Sequence, residues 1–223
     1  MTLRLVVFDV DGTLVDSQQL ILGAMGSAFA ALDLPCPPRA QVLGIVGLSL
    51  PVAMARLAPD LGAADQDRMV TAYRMAFGQM RLDQVAPLYP GARAALDLLA
   101  QDRALLLGVA TGKSRRGLAA LLDAHGLADR FVTLQVADDH PSKPHPSMLL
   151  AALSETGVDA ADAVMVGDTS FDMEMARSAG IMALGVGWGY HPVAQLRDAG
   201  AAQVIDGFEA LCPALAAHWQ GAA

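Results

Sequence analysis

The chain has 223 residues, 54% of them hydrophobic, enough to bury one large core or one core and a small satellite. A formal net charge of -8 and a sequence pI near 4.9 argue against a nucleic-acid or anionic-membrane surface, because both need a basic patch. Two thiols, Cys36 and Cys212, supply neither a disulfide framework nor a metal cluster, and a reducing cytoplasm fits that usage.

The first apolar run, over residues 3–8, reads as a strand and stops at Asp9 and Asp11, too early for an export signal. Side chains alternate along an extended strand, so Asp9 and Asp11 are expected to share one crevice. Carboxylates that close repel, and a divalent cation or a proton must relieve them. Gly12 lets the backbone turn and offer N–H groups to an anion, although Asp-Gly is also an ordinary turn. Residues 16–86 carry helical periodicity and no strand: helices are predicted over 18–32, 51–57 and 64–82, with a short turn near Gln41, between breakers such as Pro35, Gly44, Pro59 and Gly62. That segment reads as an inserted helical domain, leaving 1–15 and 87–223 as one core. The charge-free stretches 40–55 and 178–196 are broken by Gly44, Gly47 and Pro51, and by Gly185, Gly187, Gly189 and Pro192, so neither reads as a membrane span.

The chain returns to the core at Pro87-Leu88-Tyr89-Pro90-Gly91. Strands are then expected at 105–110, 132–136, 163–166, 182–186 and 203–205, with helices at 91–101, 114–125, 147–156, 172–179 and 192–199. This alternation predicts an α/β fold, a doubly wound parallel sheet covered on both faces. After the second strand, Thr111-Gly112-Lys113-Ser114 combines hydroxyls, a glycine and free N–H groups at a helix start, which suits a phosphate cradle or plain helix capping. The segment misses a P-loop by one position, since Leu107 stands where that motif needs glycine and the nearest is Gly108. Lys143, before Pro144, can neutralise a phosphoryl oxygen or be an ordinary surface lysine; His145 has no partner at triad spacing. Asp168 follows a buried apolar strand, and Asp172 lies where the first turn of a helix carries it back toward the same place. Both are hard oxygen donors suited to magnesium, and both also favour a helix N-terminus. Three of these four motifs fall at C-terminal strand ends, where open α/β sheets put their ligands.

In order and content, Asp9-x-Asp11-Gly12-Thr13, then Thr111, Lys143 and Gly167-Asp168 with Asp172, the chain resembles the haloacid dehalogenase superfamily over essentially its whole length. The insertion at 16–86 looks like that superfamily's helical cap of the first type. Leu14-Val15-Asp16-Ser17, Tyr89-Pro90-Gly91 and Gly187-Trp188-Gly189-Tyr190 resemble its phosphoglycolate phosphatase-like members. The resemblance implies a Rossmann-like core and a magnesium-dependent phosphoric monoester hydrolase. Asp9 would be the nucleophile, and Asp11 first an acid and then a base. Mg²⁺ would be held by the side chains of Asp9 and Asp168 and the backbone carbonyl of Asp11, with Asp172 orienting that shell. Phosphate would meet Gly12, Thr111, Gly112 and Lys143.

The implied substrate is a small phosphorylated metabolite, 2-phosphoglycolate first, with no nucleic-acid or membrane partner; oligomeric state is not legible. Phosphomutase and pyrophosphatase chemistry use the same residues and stay open. A dehalogenase has no use for Asp11, and an idle phosphoacceptor or ligand-binding module has no use for Asp11 together with a cap. Lys113, Arg39 and Arg56 are candidates to meet a carboxylate on the substrate, the two arginines also suiting a second phosphate or reading as solvated charge; Trp188, Tyr190 and His191 are candidates for the site entrance, with Trp188 also reading as part of a packed loop.

Overall fold

The computed structural model describes residues 2–221. Six short strands, Arg4–Phe8 (β1), Leu105–Thr111 (β2), Thr133–Val136 (β3), Ala163–Gly167 (β4), Met182–Val186 (β5) and Gln203–Ile205 (β6), form one parallel sheet in the order β3-β2-β1-β4-β5-β6. From β1 the chain builds outward through β2 and β3, then returns to lay β4 against the other side of β1. That reversal is a topological switch point, and a crevice opens at the carboxyl ends of β1 and β4. Their register pairs Phe8 with Val166, so the residues just beyond, Asp9 and Gly167, come level.

The insertion that follows β1 carries four helices, Gln18–Ala30 (α1), Arg39–Leu43 (α2), Leu50–Leu57 (α3) and Ala63–Asp83 (α4). They bury an apolar cluster of their own that includes Ile21, Met25, Phe29, Met54 and Met69. The segment leaves and rejoins the core along one seam, where Asp16 and Tyr89 N–H groups donate to Pro87 and Leu14 carbonyls. The remaining helices are Ala92–Leu99 (α5), Arg115–Ala124 (α6), Ser147–Thr156 (α7), Ser170–Ser178 (α8), Val193–Asp198 (α9) and Leu211–Gly221 (α10).

The period-two alternation of β1 explains how the sheet is covered. Val6 and Phe8 point into one cluster with Leu96 of α5, Leu118 of α6 and Leu215 of α10, whereas Leu5 and Val7 point into another with Met148 of α7, Met173 of α8 and Leu196 of α9. Strands apolar on both faces are what a doubly covered parallel sheet needs. The predicted strands all form, with β2 and β4 running one residue further, to Thr111 and Gly167. Helix α10 was not among the predicted elements, though Leu211, Leu215 and Trp219 trace its buried stripe at a spacing of four. Among the described residues no helix is long and apolar enough to cross a membrane.

Candidate active site

Strand β1 stops at Phe8, so Asp9 and Asp11 do not share a crevice by strand alternation as expected. Instead the chain turns tightly: the N–H groups of Thr13, Leu14 and Val15 all converge on the Val10 carbonyl, and the turn aims both carboxylates into one cavity. Gly12, at φ 87°, makes this turn possible, and a Cβ there would stand 2.2 Å from Asp168 Oδ2. On the other side of Asp168, a Cβ on Gly189 would stand 2.1 Å from the aspartate's own Cβ. Asp168 is thus clamped between two glycine backbones. Its Oδ1 accepts from Thr13 Oγ1 at 2.8 Å and its Oδ2 from the Tyr190 N–H at 2.9 Å.

Asp172 reaches the same place from the first turn of α8, where it closes a capping box with Thr169. Its Oδ2 accepts from the Thr169 N–H and Oγ1 at 3.0 and 2.7 Å, and its Oδ1 accepts from Lys143 Nζ at 2.6 Å. One position thus caps α8 and also lies beside Asp9 and Asp168. Lys143 is no surface lysine: it is 1% exposed, and its ammonium also lies 3.0 Å from Asp9 Oδ1.

Asp9, Asp168 and Asp172 bring carboxylate oxygens within 4.8 Å of one another in a fully buried setting. Three carboxylates against the single Lys143 ammonium leave two negative charges to be balanced. Burial pushes the Asp9 carboxyl up to about 7; Lys143 pulls it down, while Asp172 and Asp11 push it further up. Asp168 is likewise raised well above the usual range by burial, then by Asp9 and Asp172. For Lys143 burial works downward, but the charges of Asp172 and Asp9 outweigh it and hold the ammonium above the usual lysine range. Neither oxygen of Asp9 receives a well-formed hydrogen bond. Buried, unbonded, hard oxygens with two uncompensated charges fit a divalent cation, and the donor set is the oxygen set that Mg²⁺ prefers.

Asp11 is balanced separately. Lys113 Nζ lies 2.7 Å from both of its oxygens, and Ser17 Oγ donates to Oδ1 at 2.5 Å, itself 3.1 Å from the Tyr190 hydroxyl. The expected repulsion between Asp9 and Asp11 is thereby reduced but not removed: Lys113 faces Asp11, Lys143 is shared between Asp9 and Asp172, and Asp11 still raises the Asp9 carboxyl. Lys113, considered from sequence as a contact for a substrate carboxylate, is already engaged. Thr13 and Ser17, quoted from sequence only as parts of the motif segments after Asp9 and given no role, take definite partners in Asp168 and Asp11.

Thr111 ends β2 and borders the cavity with Gly112. Ser114, not Thr111, caps α6, accepting from the Gly117 N–H at 3.2 Å. The P-loop reading is excluded: Gly108 sits inside β2, where a Cβ would come within 2.7 Å of Thr133 Cγ2. The cavity measures about 750 Å³ and runs between these core residues and the helical insertion. A Cβ on Gly112 would meet the Leu48 carbonyl at 2.6 Å, so this glycine lets the insertion lie directly on the core. Ser49 N–H donates to Ser142 Oγ at 2.9 Å across the same seam.

Arg39 and Arg56 do not border this cavity. Arg39 lines a second one of about 380 Å³ beside Tyr190 and His191, and Arg56 lies over the Phe171 ring at 5.2 Å. Trp188 packs against Tyr89 and Phe208 and donates to the Thr13 carbonyl at 3.1 Å, bracing the turn rather than the entrance. His191 accepts from the Ser170 N–H at Nδ1, which leaves Nε2 to donate to the Gly44 carbonyl. Burial holds its basicity below the ordinary value, so this neutral imidazole ties the insertion to the core. His145 stays in its loop, accepting from the Ser147 N–H.

The sequence matches the family model described as haloacid dehalogenase-like hydrolase over residues 6–186. It is 40% identical over 211 residues to a Dickeya dadantii protein named "Probable phosphatase IndB", covering 92% of this chain and 90% of that one. It is 38% identical over 218 residues to the phosphoglycolate phosphatase of Rhodospirillum rubrum, covering 93% and 89% respectively. In structure it superposes on a hydrolase from Pseudomonas syringae with a TM-score of 0.84 at 25% identity, covering 96% of this chain and 98% of the other.

Proposed function

The chain belongs to the haloacid dehalogenase-like hydrolase family and is a phosphatase, and we propose that it hydrolyses a small phosphomonoester by way of an aspartyl phosphate on Asp9. The observation that carries this reading is the asymmetry of the two balanced carboxylates. Asp9 has the Lys143 ammonium at 3.0 Å and no further side-chain donor, which leaves it open as a nucleophile, whereas Asp11 is held at the edge of the same cavity by Lys113 and Ser17, placed to exchange a proton with the leaving oxygen and then with water. Residues 16–86 act as a cap, and 1–15 with 87–223 as the catalytic core.

The residues divide the work as follows. An oxygen of Asp9 attacks phosphorus, the ester P–O bond breaks, and the departing oxygen takes a proton from Asp11. Asp11, now a carboxylate, takes a proton from water as the water oxygen attacks the same phosphorus; the bond to Asp9 breaks, returning the carboxylate and releasing phosphate. Lys143 holds Asp9 in place and balances charge on the transferring group, while Thr111 and Gly112 offer donors to its oxygens; Gly12, expected from sequence to do the same, has its N–H bonded to the Val15 carbonyl at 2.9 Å and serves the turn instead. Mg²⁺ would be held by the Asp9 and Asp168 side chains and the Asp11 carbonyl, with Asp172 orienting Lys143 and this shell; bound there it would offset the two excess charges and keep Asp9 ionised near neutral pH. Closure of the cap over the cavity excludes bulk water and macromolecular substrates, and nucleic acid is disfavoured by the charge of -8. The phosphomutase and pyrophosphatase readings differ in the fate of the phosphoryl group, not in these residues.

The reading is tested by phosphate release from a panel of small phosphoesters, with 2-phosphoglycolate as reference compound, in Mg²⁺ and in chelator. Release that needs both Mg²⁺ and Asp9 supports it. Transfer of the phosphoryl group to a second sugar hydroxyl, or release unaffected by chelator, would replace it.

A further inference from the structure

The cavity in front of Asp9 is far larger than a phosphoryl group needs. Its volume of about 750 Å³ lies in the range of sites that enclose drug-sized ligands. Asp9, Asp11, Thr111 and Gly112 account for the phosphoryl end, and the wall supplied by the insertion is mainly apolar: Ile21 and Met25 from α1, Val46 and Leu48 after α2, Tyr73 and Phe77 from α4.

That wall begins where the leaving oxygen has to be. Asp11 is 2.7 Å from Lys113 Nζ, the same ammonium sits 5.0 Å from the Phe77 ring centroid, and the Phe77 and Tyr73 centroids are 5.8 Å apart with an interplanar angle of 18°. An alcohol departing toward Asp11 is led onto two near-parallel aromatic rings one helical turn apart. A carboxylate placed one carbon from the phosphate finds a poorer setting. Both lysines beside it are committed, Lys143 to Asp9 and Asp172, and Lys113 to Asp11. The other cations that border the cavity, Arg74, Arg81 and Arg116, keep solvent contact.

We propose that the site selects phosphomonoesters whose alcohol carries a planar, largely apolar ring, with Tyr73 and Phe77 as the specificity-determining residues; this deepens, and rests on, the phosphatase reading. Offset stacking on the aromatic pair and burial against the aliphatic wall reward a ring and do little for a two-carbon acid.

The test compares 2-phenylethyl phosphate with ethyl phosphate. Their alcohols are close in acidity, so the cleaved bond is matched and the ring is the difference. The ring ester is expected to have the higher kcat/KM by about tenfold or more, and to exceed 2-phosphoglycolate as well. Tyr73→Leu and Phe77→Leu, each checked for folding by thermal melting, should lower that ratio through KM. An equal or inverted ratio in the unmodified protein, or a preference for 2-phosphoglycolate, overturns the inference while leaving the phosphatase reading intact. If none of the three esters releases phosphate, it is the phosphatase reading that fails. Titration with 2-phenylethylphosphonate against ethylphosphonate then decides the ring preference by itself: tighter binding of the ring compound keeps it, and equal binding removes it.

Discussion

Replacing Lys143 by methionine keeps the length of a side chain that is 1% exposed and deletes only its charge. Where the three buried carboxyl groups are ionised, they then carry three negative charges in place of a net two. Breaking a buried ion pair by removing one partner costs about 3–5 kcal/mol. For a chain of this size each kcal/mol lowers Tm by about 2–4 °C, so a fall of about 6–20 °C is expected in chelator. The pH dependence has a definite sign. The Asp9 carboxyl titrates at about 7 in the folded protein against 3.8 ordinarily, so its contribution to stability is complete below the lower value and is lost as pH rises through the upper one. Lys143 is the charge that pulls Asp9 down, and without it the window of loss extends to higher pH. The penalty of the substitution should therefore grow from pH 5, where Asp9 is protonated with or without the lysine, to pH 8. Calorimetric melts of both proteins across that range measure it directly. A penalty that shrinks with rising pH, or a Tm change of under about 2 °C at pH 8, would refute the assignment of Lys143 as the counter-charge of a buried acidic cluster.

Asp9→Asn should fold, by circular dichroism, and lose turnover by about 10⁴-fold or more, since the amide cannot form the acyl phosphate; activity near that of the unmodified protein would remove Asp9 as nucleophile. Chelator should abolish phosphate release and Mg²⁺ restore it, whereas Ca²⁺, with its larger and looser coordination shell, should inhibit. Asp168→Ala should mimic chelation, and calorimetric titration of Mg²⁺ should show affinity down by more than about 100-fold, beyond what loss of an outer partner causes. Gly12→Ala places a Cβ 2.2 Å from Asp168 Oδ2 at φ 87°, so it should cost about 1–3 kcal/mol in urea unfolding from backbone strain alone, and disable catalysis as well.

The sheet was legible because buried parallel strands leave compact apolar runs, and Leu5 through Phe8 or Val164 through Val166 have no other economical use. The joint placement of Asp9, Thr111 and Asp168 at strand ends followed from that pattern. What escaped was pairing between distant side chains. Lys113 meets Asp11 across 102 positions, and nothing local distinguishes a lysine committed to a carboxylate from one free to bind substrate. Lys143 shows the same limit, because only tertiary packing turns a proline-flanked loop lysine into a buried one. The shared aim of Asp9 and Asp11 was foreseen for the wrong reason, since it arises from a turn around the Val10 carbonyl. Helix α10 hid in an alanine-rich tail where only Leu211, Leu215 and Trp219 add large side chains to the buried face.

The hydrogen bond from Thr13 to Asp168 closes a loop of 155 residues, and β1 lies between β2 and β4. This ordering has a consequence for how the molecule is made. A growing chain that has not yet supplied β4 holds the Asp9 turn but leaves one edge of β1 unpaired and the acidic cluster without two of its three members. Contacts of such sequence separation form slowly, since loop closure precedes any reward. The proposed cation site would thus exist only in the finished chain, and the onset of Mg²⁺ binding in a refolding experiment would time the moment at which the two halves of the sheet close around β1.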